Sequence, residues 1–436
     1  MGLVSWICTV IENVIWICTI IEIIFWICAI CVVLIIAGVI FYKPYLGVVF
    51  VIVSIPFEGV IDFGCISIYP LETILAILGL ICIYKSIVER YNCFGNMKLV
   101  YCCIPFVLCI MLSVTKSIEL SLTVKEIVRW LELFVIYYLT INLINDDKKM
   151  RMILYSIFLT VGMVSILGII NYYNSVGYIF FGHRASSFFG NPNPFAGYVA
   201  LIIPVLFGML MASVSLWERI TLGIVTVLSI AAWFLTFSRA SLISLTLTMI
   251  LLFFLAKAKK KVPLLLVILF AIFAVTFIFS DVRDGFIDRF RPIFMHRVLE
   301  HRAMCYSVGF DMVKDDIILG IGIGNYPLLI TKFTKNVSLI QTHLHSLYLQ
   351  IFVETGIMGL SAFVFWLVCI VKYLVSSLKA LEKTGNYSLF VGLVGGVIVY
   401  LFNNLSEVLT VHGIHLQWGI ILGLAVVLTQ LRESEG

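Results

Sequence analysis

The sequence predicts an all-α, polytopic membrane protein, and three observations carry that expectation. Mean hydropathy is +1.12 over 436 residues. Hydrophobic residues make up 62% of the chain and charged ones only 12%. Apolar runs of about 17–25 residues recur along nearly the whole length, each long enough to cross a bilayer as a helix. The runs lack the strict alternation of a membrane β-barrel, so helices are the remaining way to satisfy a backbone in lipid.

Candidate spans fall near 4–21, 23–42, 44–55, 68–84, 98–112, 127–144, 151–173, 195–216, 220–237, 239–256, 262–280, 347–375, 387–405 and 415–431. That is twelve to fourteen helices, depending on the first run and the short one at 44–55. The N-terminal run has no basic start and no cleavage site, which reads as an anchor rather than a cleaved signal. Within it WICTVIENVI (6–15) returns as WICTIIEIIF (16–25), a local duplication whose ten-residue period fits no helical stripe. The twelve cysteines lie mostly inside apolar runs without metal spacing, as small hydrophobes do. Four regions follow: N-terminal transmembrane helices (1–145), central transmembrane helices (146–280), one large loop with short helices (281–346) and C-terminal transmembrane helices (347–436).

Orientation follows from Lys and Arg in alternate connections. One set holds sixteen: Lys43, Lys85, Arg90, Lys98, Lys148, Lys149, Arg151, Arg219, Lys257, Lys259, Lys260, Lys261, Lys372, Lys379, Lys383 and Arg432. The other holds five outside its long loop: Lys116, Lys125, Arg129, Arg184 and Arg239. The first set is expected to be cytoplasmic, with the C-terminus. The 281–341 loop then lies on the extracytoplasmic face of the cytoplasmic (inner) membrane.

That loop carries the stretch DRFRPIFMHRVLEHR (288–302), and between 283 and 302 five arginines meet three acids. A solvated amphipathic helix would account for the charges. Every basic residue there is arginine, however, whose planar fork suits bidentate phosphate binding. Arg289, Arg291, Arg297 and Arg302 are therefore candidate anion ligands. Arg297 and His301 stand four apart and share a helix face.

The continuation of that stretch and three more stretches belong to the same face. FGHRASSFFGNPNPFAGY (181–198) reads as a rigid turn, with Arg184 just outside the bilayer and Asn193 available to hydrogen-bond between two prolines. An interfacial anchoring arginine would look alike. In WFLTFSRASLISL (233–245), Arg239 sits between two apolar runs with almost no loop. A cation so close to hydrocarbon must snorkel or pair with an anion. GIGIGN (320–325) is expected to end the loop helix in a turn that is either flexible or able to cradle an anion with its N–H groups. In QTHLHSLYLQIFVETGIMGL (341–360), a helix starting near Thr342 would put His343, Leu347, Gln350 and Glu354 on one face and His345 on the other. Glu354 is either a functional acid inside the membrane or a brace for the Gly356–Gly359 turn. Two histidines are too few and too badly spaced for zinc, so neither metal nor cofactor is expected.

Arginines on outer loops beside a neutral-pH proton acceptor fit a lipid-anchored phosphate or diphosphate, with arginine stabilising the leaving group and histidine accepting a hydroxyl proton. In order and spacing, FGHRASSFFGNPNPFAG, FSRASL, GIGIGNY and HLHSLYLQIFVETGIMGL resemble the motifs of the O-antigen ligase and polymerase family of bacterial polysaccharide assembly. The resemblance covers roughly residues 150–425, and Ser346 departs from it where asparagine is commoner. It implies a metal-independent membrane glycosyltransferase similar to the GT-C class, which transfers or polymerises a glycan from undecaprenyl diphosphate to a glycan or glycolipid acceptor. Arg184, Arg239 and Arg302 match the family's arginines and His345 its histidine; Arg289, Arg291 and Arg297 rest on charge alone. The expected catalytic set is His345, Arg239 and Glu354, and the expected substrate-binding set is Arg184, Arg302, Arg297, Arg291, Arg289, His343 and Asn193. A chain-length regulator or flippase is a candidate partner, and nucleic acid is not. The competing reading is a transporter or flippase for anionic lipid-linked saccharides, which should scatter charges through the midplane of several spans. Here they cluster at one face.

Overall fold

The computed structural model describes residues 30–57, 61–62, 67–68, 70–91, 93–174, 184–213, 215–255, 287, 291–335 and 343–433. The expected spans at 4–21 and 262–280, Arg289 and the lysine run at 257–261 lie outside the described residues, as does the side chain of Arg297.

The described chain is helical apart from two-residue strands, Ile61–Asp62 and Ser67–Ile68, paired antiparallel. The helices are α1 (Ile30–Tyr42), α2 (Tyr45–Ser54), α3 (Pro70–Val88), α4 (Val100–Ser113), α5 (Leu120–Leu143), α6 (Asp147–Asn174) and α7 (Pro192–Ala212). They continue as α8 (Leu216–Phe234), α9 (Arg239–Leu255), α10 (Pro292–Val313), α11 (Tyr326–Phe333), α12 (Leu347–Leu381), α13 (Tyr387–Asn403) and α14 (Ile414–Glu433). Six of them, α3, α6, α7, α8, α12 and α14, are long and apolar enough to cross a membrane, and α1, α2, α4, α9 and α13 are shorter apolar helices. The protein is a multi-pass membrane protein. Large side chains such as Leu80, Ile87, Leu159, Phe254 and Phe365 remain exposed on the bundle's outside, where lipid is the solvent.

Helices α7 and α14 are buried over most of their length and form the axis of the bundle. The most extensively packed pair is α7 with α13, and glycines permit the approach. A Cβ at Gly392 would stand 2.5 Å from the Pro204 carbonyl, and one at Gly396 2.8 Å from that of Leu201. Small residues let helix backbones pack where no hydrophobic force drives association.

The helix ends are set by local chemistry. Asn191 caps α7 by accepting the Asn193 N–H at 3.0 Å, with Pro192 in the first turn. Ser346 caps α12, accepting from Leu349 N. This corrects the start expected near Thr342: α12 begins at Leu347, so His343 and His345 precede it in a loop. Gln350 and Glu354 still share a face. Helix α10 ends at Val313, seven residues before GIGIGN rather than at it.

Within α12 the backbone breaks at Gly356 (φ 67, ψ −169), and residues 317–322 dock into the break. Ile321 N donates to Val353 O and Gly322 N to Glu354 O, both at 2.9 Å, and Ile357 N donates to Ile317 O at 2.8 Å. The same loop docks on the α4–α5 connection. Lys116 pairs with Asp316, and buried Asn325 accepts from Ile118 N while donating to Lys116 O. The connections α4–α5, α6–α7, α8–α9 and α13–α14 thus meet residues 291–335 and 343–346 at one end of the bundle.

Candidate active site

Three separate parts of the chain converge on Glu407, in the turn between α13 and α14: the first turn of α7, the middle of α10 and the loop before α12. Asn404 shapes that turn: its side chain donates to Tyr400 O and accepts from Leu409 N at 2.8 Å. The turn also receives the start of α12, because Leu347 N donates to Asn404 O at 3.0 Å and to Glu407 O at 3.2 Å. Glu407 itself is 7% exposed.

Its carboxylate is the hub. Oε1 accepts from Asn193 Nδ2 at 3.1 Å and lies 3.3 Å from Arg302 Nη2. Oε2 lies 3.7 Å from His345 Nδ1. One step out, Arg184 donates from Nη2 to Asn193 Oδ1 at 2.8 Å and from Nε to Thr236 O at 2.6 Å. Ala185 N donates to Leu235 O, which pins the Arg184 segment to the turn that leads into Arg239 at the head of α9. Phe237 in that turn has φ 48, an unusual left-handed backbone for a bulky residue.

His345 also adopts a left-handed backbone (φ 52), which turns its ring back toward Glu407. Its ring lies 5.1 Å from that of His343 and 6.4 Å from that of His301 on α10, and its carbonyl accepts from Tyr306 Oη at 3.4 Å. The two motif histidines therefore stand together, not on opposite faces. Burial holds His343 below the usual histidine range, helped by the neighbouring His345 and opposed by Glu407. Burial likewise raises Tyr306, against the pull of Arg302.

Glu354 is tied elsewhere. It accepts from Gln350 Nε2 at 2.8 Å and from the backbone N–H groups of Gly324 and Tyr326. The glycine-rich turn thus holds the chain's own Glu354 carboxyl group. Gln350 accepts from Leu344 N at 2.9 Å, so it links this brace to the histidine loop. Arg291 caps α10 at its start, eleven residues before Arg302 and so about 16 Å along the helix from it. Arg297 lies between them.

The structure thus brings Arg184, Asn193, Arg302 and His345 together, with His343 and the Arg239 turn alongside. Sequence reasoning missed Glu407. The only signal was an acid in SEVLTVHGIH (406–415), between the last two apolar runs, and it reads as an ordinary loop acid until its partners are placed.

Residues 224–364 match the family model described as O-antigen ligase. The matched segment contains Arg239, Arg302, both motif histidines and Glu354. Arg184, Asn193 and Glu407 come to the same site from outside it, on the α6–α7 connection, the first turn of α7 and the α13–α14 connection. No curated protein matches the chain. The comparison thus places an O-antigen ligase-like segment inside a multi-pass membrane protein.

Proposed function

We propose that the chain joins glycans at the extracytoplasmic face of the cytoplasmic membrane, using an oligosaccharide on undecaprenyl diphosphate as donor, in the manner of GT-C enzymes. The observation that carries the reading is the convergence of Arg184, Arg302, Asn193 and His345 on Glu407 beside the Arg239 turn. Three arginines against one carboxylate leave the site net positive, which suits a diphosphate.

In the reaction, the acceptor hydroxyl oxygen attacks the anomeric carbon of the donor sugar. The bond from that carbon to the diphosphate oxygen breaks, and undecaprenyl diphosphate leaves with the electron pair. The hydroxyl proton passes to His345 Nε2, whose Nδ1 side faces Glu407, an arrangement in which the carboxylate orients the base. Arg184, Arg239 and Arg302 hold the charge that grows on the leaving group. His343 packs against His345 and excludes water from it. Glu354 acts at one remove, by bracing the loop that carries the histidines. Arg289, Arg291 and Arg297 draw the diphosphate toward the membrane surface by long-range charge.

The test uses purified protein and lipid-linked oligosaccharide. Wild type should form new glycosidic bonds and release undecaprenyl diphosphate. Arg239→Ala and His345→Ala should each insert and fold normally yet lose transfer by 100-fold or more, on the order expected for a general base or a charge-stabilising group. Equal polymer from wild type and both variants would sink the assignment. Product length on a gel separates a polymerase ladder from a single ligation.

A further inference from the structure

A second group of ionisable side chains lies on the other side of the 404–413 turn. On α5, Lys125, Arg129 and Glu132 recur at four- and three-residue spacing and share a face, with Glu126 beside Arg129 at 2.5 Å. Glu132 is twelve residues into the helix, about 18 Å from its start. Glu72, in the first turn of α3, is within electrostatic range of Lys125, Arg129 and Glu132. The far wall is the start of α14. Gly413 packs against Leu71, where a Cβ would come within 2.7 Å of the leucine side chain. His415 follows, 3% exposed, with Nε2 3.9 Å from Glu132 Oε2.

His415 marks this as more than a cluster of acids. Neither of its ring nitrogens has a hydrogen-bond partner among the described residues, although the residue is buried. Its distance from Glu132 is beyond hydrogen-bond reach. Buried polar atoms are almost always satisfied, and an ionisable residue at this depth in a membrane protein marks function by default. The charge balance also differs from the Glu407 hub. Three carboxylates (Glu72, Glu126, Glu132) face two cations (Lys125, Arg129), so a second diphosphate is disfavoured. Carboxylates accept hydroxyl hydrogens and arginine donates to hydroxyl oxygens, which is the set a neutral sugar needs. The 404–413 turn joins the two places directly: Glu407 faces the reacting centre, and His415, two residues beyond the turn, faces Glu132 on α5.

We propose that Glu72, Lys125, Glu126, Arg129, Glu132 and His415 form a binding subsite for neutral sugar hydroxyls of the acceptor glycan. The subsite rests on the glycosyltransferase reading above. It holds the acceptor chain in the outer part of the bundle while the terminal hydroxyl reaches His345.

The probe is the oligosaccharide freed by mild acid from the extracted lipid-linked donor, titrated against full-length protein in nanodiscs at fixed donor concentration. Glu132→Ala should raise the oligosaccharide concentration for half-maximal transfer at least tenfold, with the maximal rate within twofold. Glu132→Gln keeps one acceptor and should show a smaller rise. Hydrolysis of the donor without acceptor, in which water attacks the anomeric carbon and undecaprenyl diphosphate leaves, should not change in either. Unchanged half-saturation in both variants, or a fall in maximal rate alone, overturns the subsite. Saturation-transfer NMR of the same oligosaccharide gives a second readout that needs no turnover: signal with wild type and with Arg302→Ala, and its loss with Glu132→Ala. If wild type forms no bonds but binding depends on Glu132, the transferase reading falls and the subsite stands. Binding indifferent to Glu132 removes the subsite whatever the activity.

Discussion

Glu407→Gln is the most informative single change, because it removes one charge at nearly constant volume. In the native site that charge faces Arg302 at 3.3 Å and His345 at 3.7 Å and accepts from Asn193 at 3.1 Å. Breaking a fully buried ion pair from one side costs about 3–5 kcal/mol. The Arg302 side chain is 24% exposed, and solvent reduces the loss toward roughly 1–3 kcal/mol of folding stability. The kinetic effect is separate. An amide offers His345 and Arg302 either an oxygen or an NH2 group, and the latter faces a guanidinium that only donates. With the imidazole no longer oriented, kcat should fall on the order of 100-fold, about 2.7 kcal/mol of barrier. Undecaprenyl diphosphate release from lipid-linked donor, fitted for kcat and KM, reads this directly, and thermal unfolding in detergent reads the stability loss. Glu407→Asp, which keeps the charge one methylene further away, should recover part of the rate. Retention of kcat within threefold in Glu407→Gln would refute the orienting role, and the site would then reduce to its arginines.

Further expectations concern the scaffold. Gly356→Ala would drive a Cβ into the Ile318 carbonyl at a left-handed backbone position, so the 317–322 segment should detach, with a loss of about 3 kcal/mol in thermal unfolding and loss of transfer. Glu354→Ala strips the partner from the Gly324 and Tyr326 N–H groups and should cost about 2 kcal/mol or more. If Glu354 only braces, Glu354→Gln should keep most activity at low temperature, and a 100-fold loss in a normally folded Glu354→Gln protein would make it a reacting group. His343 is held below the usual histidine range, so the folded protein binds fewer protons than the unfolded chain between that depressed value and about 6.5. Its neutral form therefore stabilises the fold above this window, and the contribution is lost as pH falls through it. His343→Gln should flatten the drop in unfolding temperature between pH 7 and 5, and an unchanged slope would show that other groups dominate.

Much of the architecture was legible because lipid imposes it. Apolar runs near 98–112, 127–144, 151–173, 347–375 and 387–405 returned as α4, α5, α6, α12 and α13, since a long apolar run can satisfy its backbone only as a helix. Arginine chemistry and motif order also single out Arg184, Arg302 and His345, which the fold brings together around Glu407 and Asn193. The boundary error at α12 has a local cause: Ser346 caps the helix there, and a cap one position from a histidine pair leaves no mark in hydropathy. The double role of GIGIGN was equally hidden, because glycine spacing signals a turn without saying whose anion it will hold.

By itself the sequence determined the membrane class, the helical runs, the family likeness and the residue types able to bind a diphosphate, all of which follow from local composition and spacing. Only the tertiary structure decided which of them meet. Asn193 and Glu407 are separated by 214 positions and Arg302 and Glu407 by 105, and an acid between two apolar helices carries no mark of its future partners. Pairing across such distances is set by how α7, α10, α12 and α14 pack. That packing turns an unremarked loop acid into the hub and ties Glu354 to Gln350 and to the glycine-rich turn.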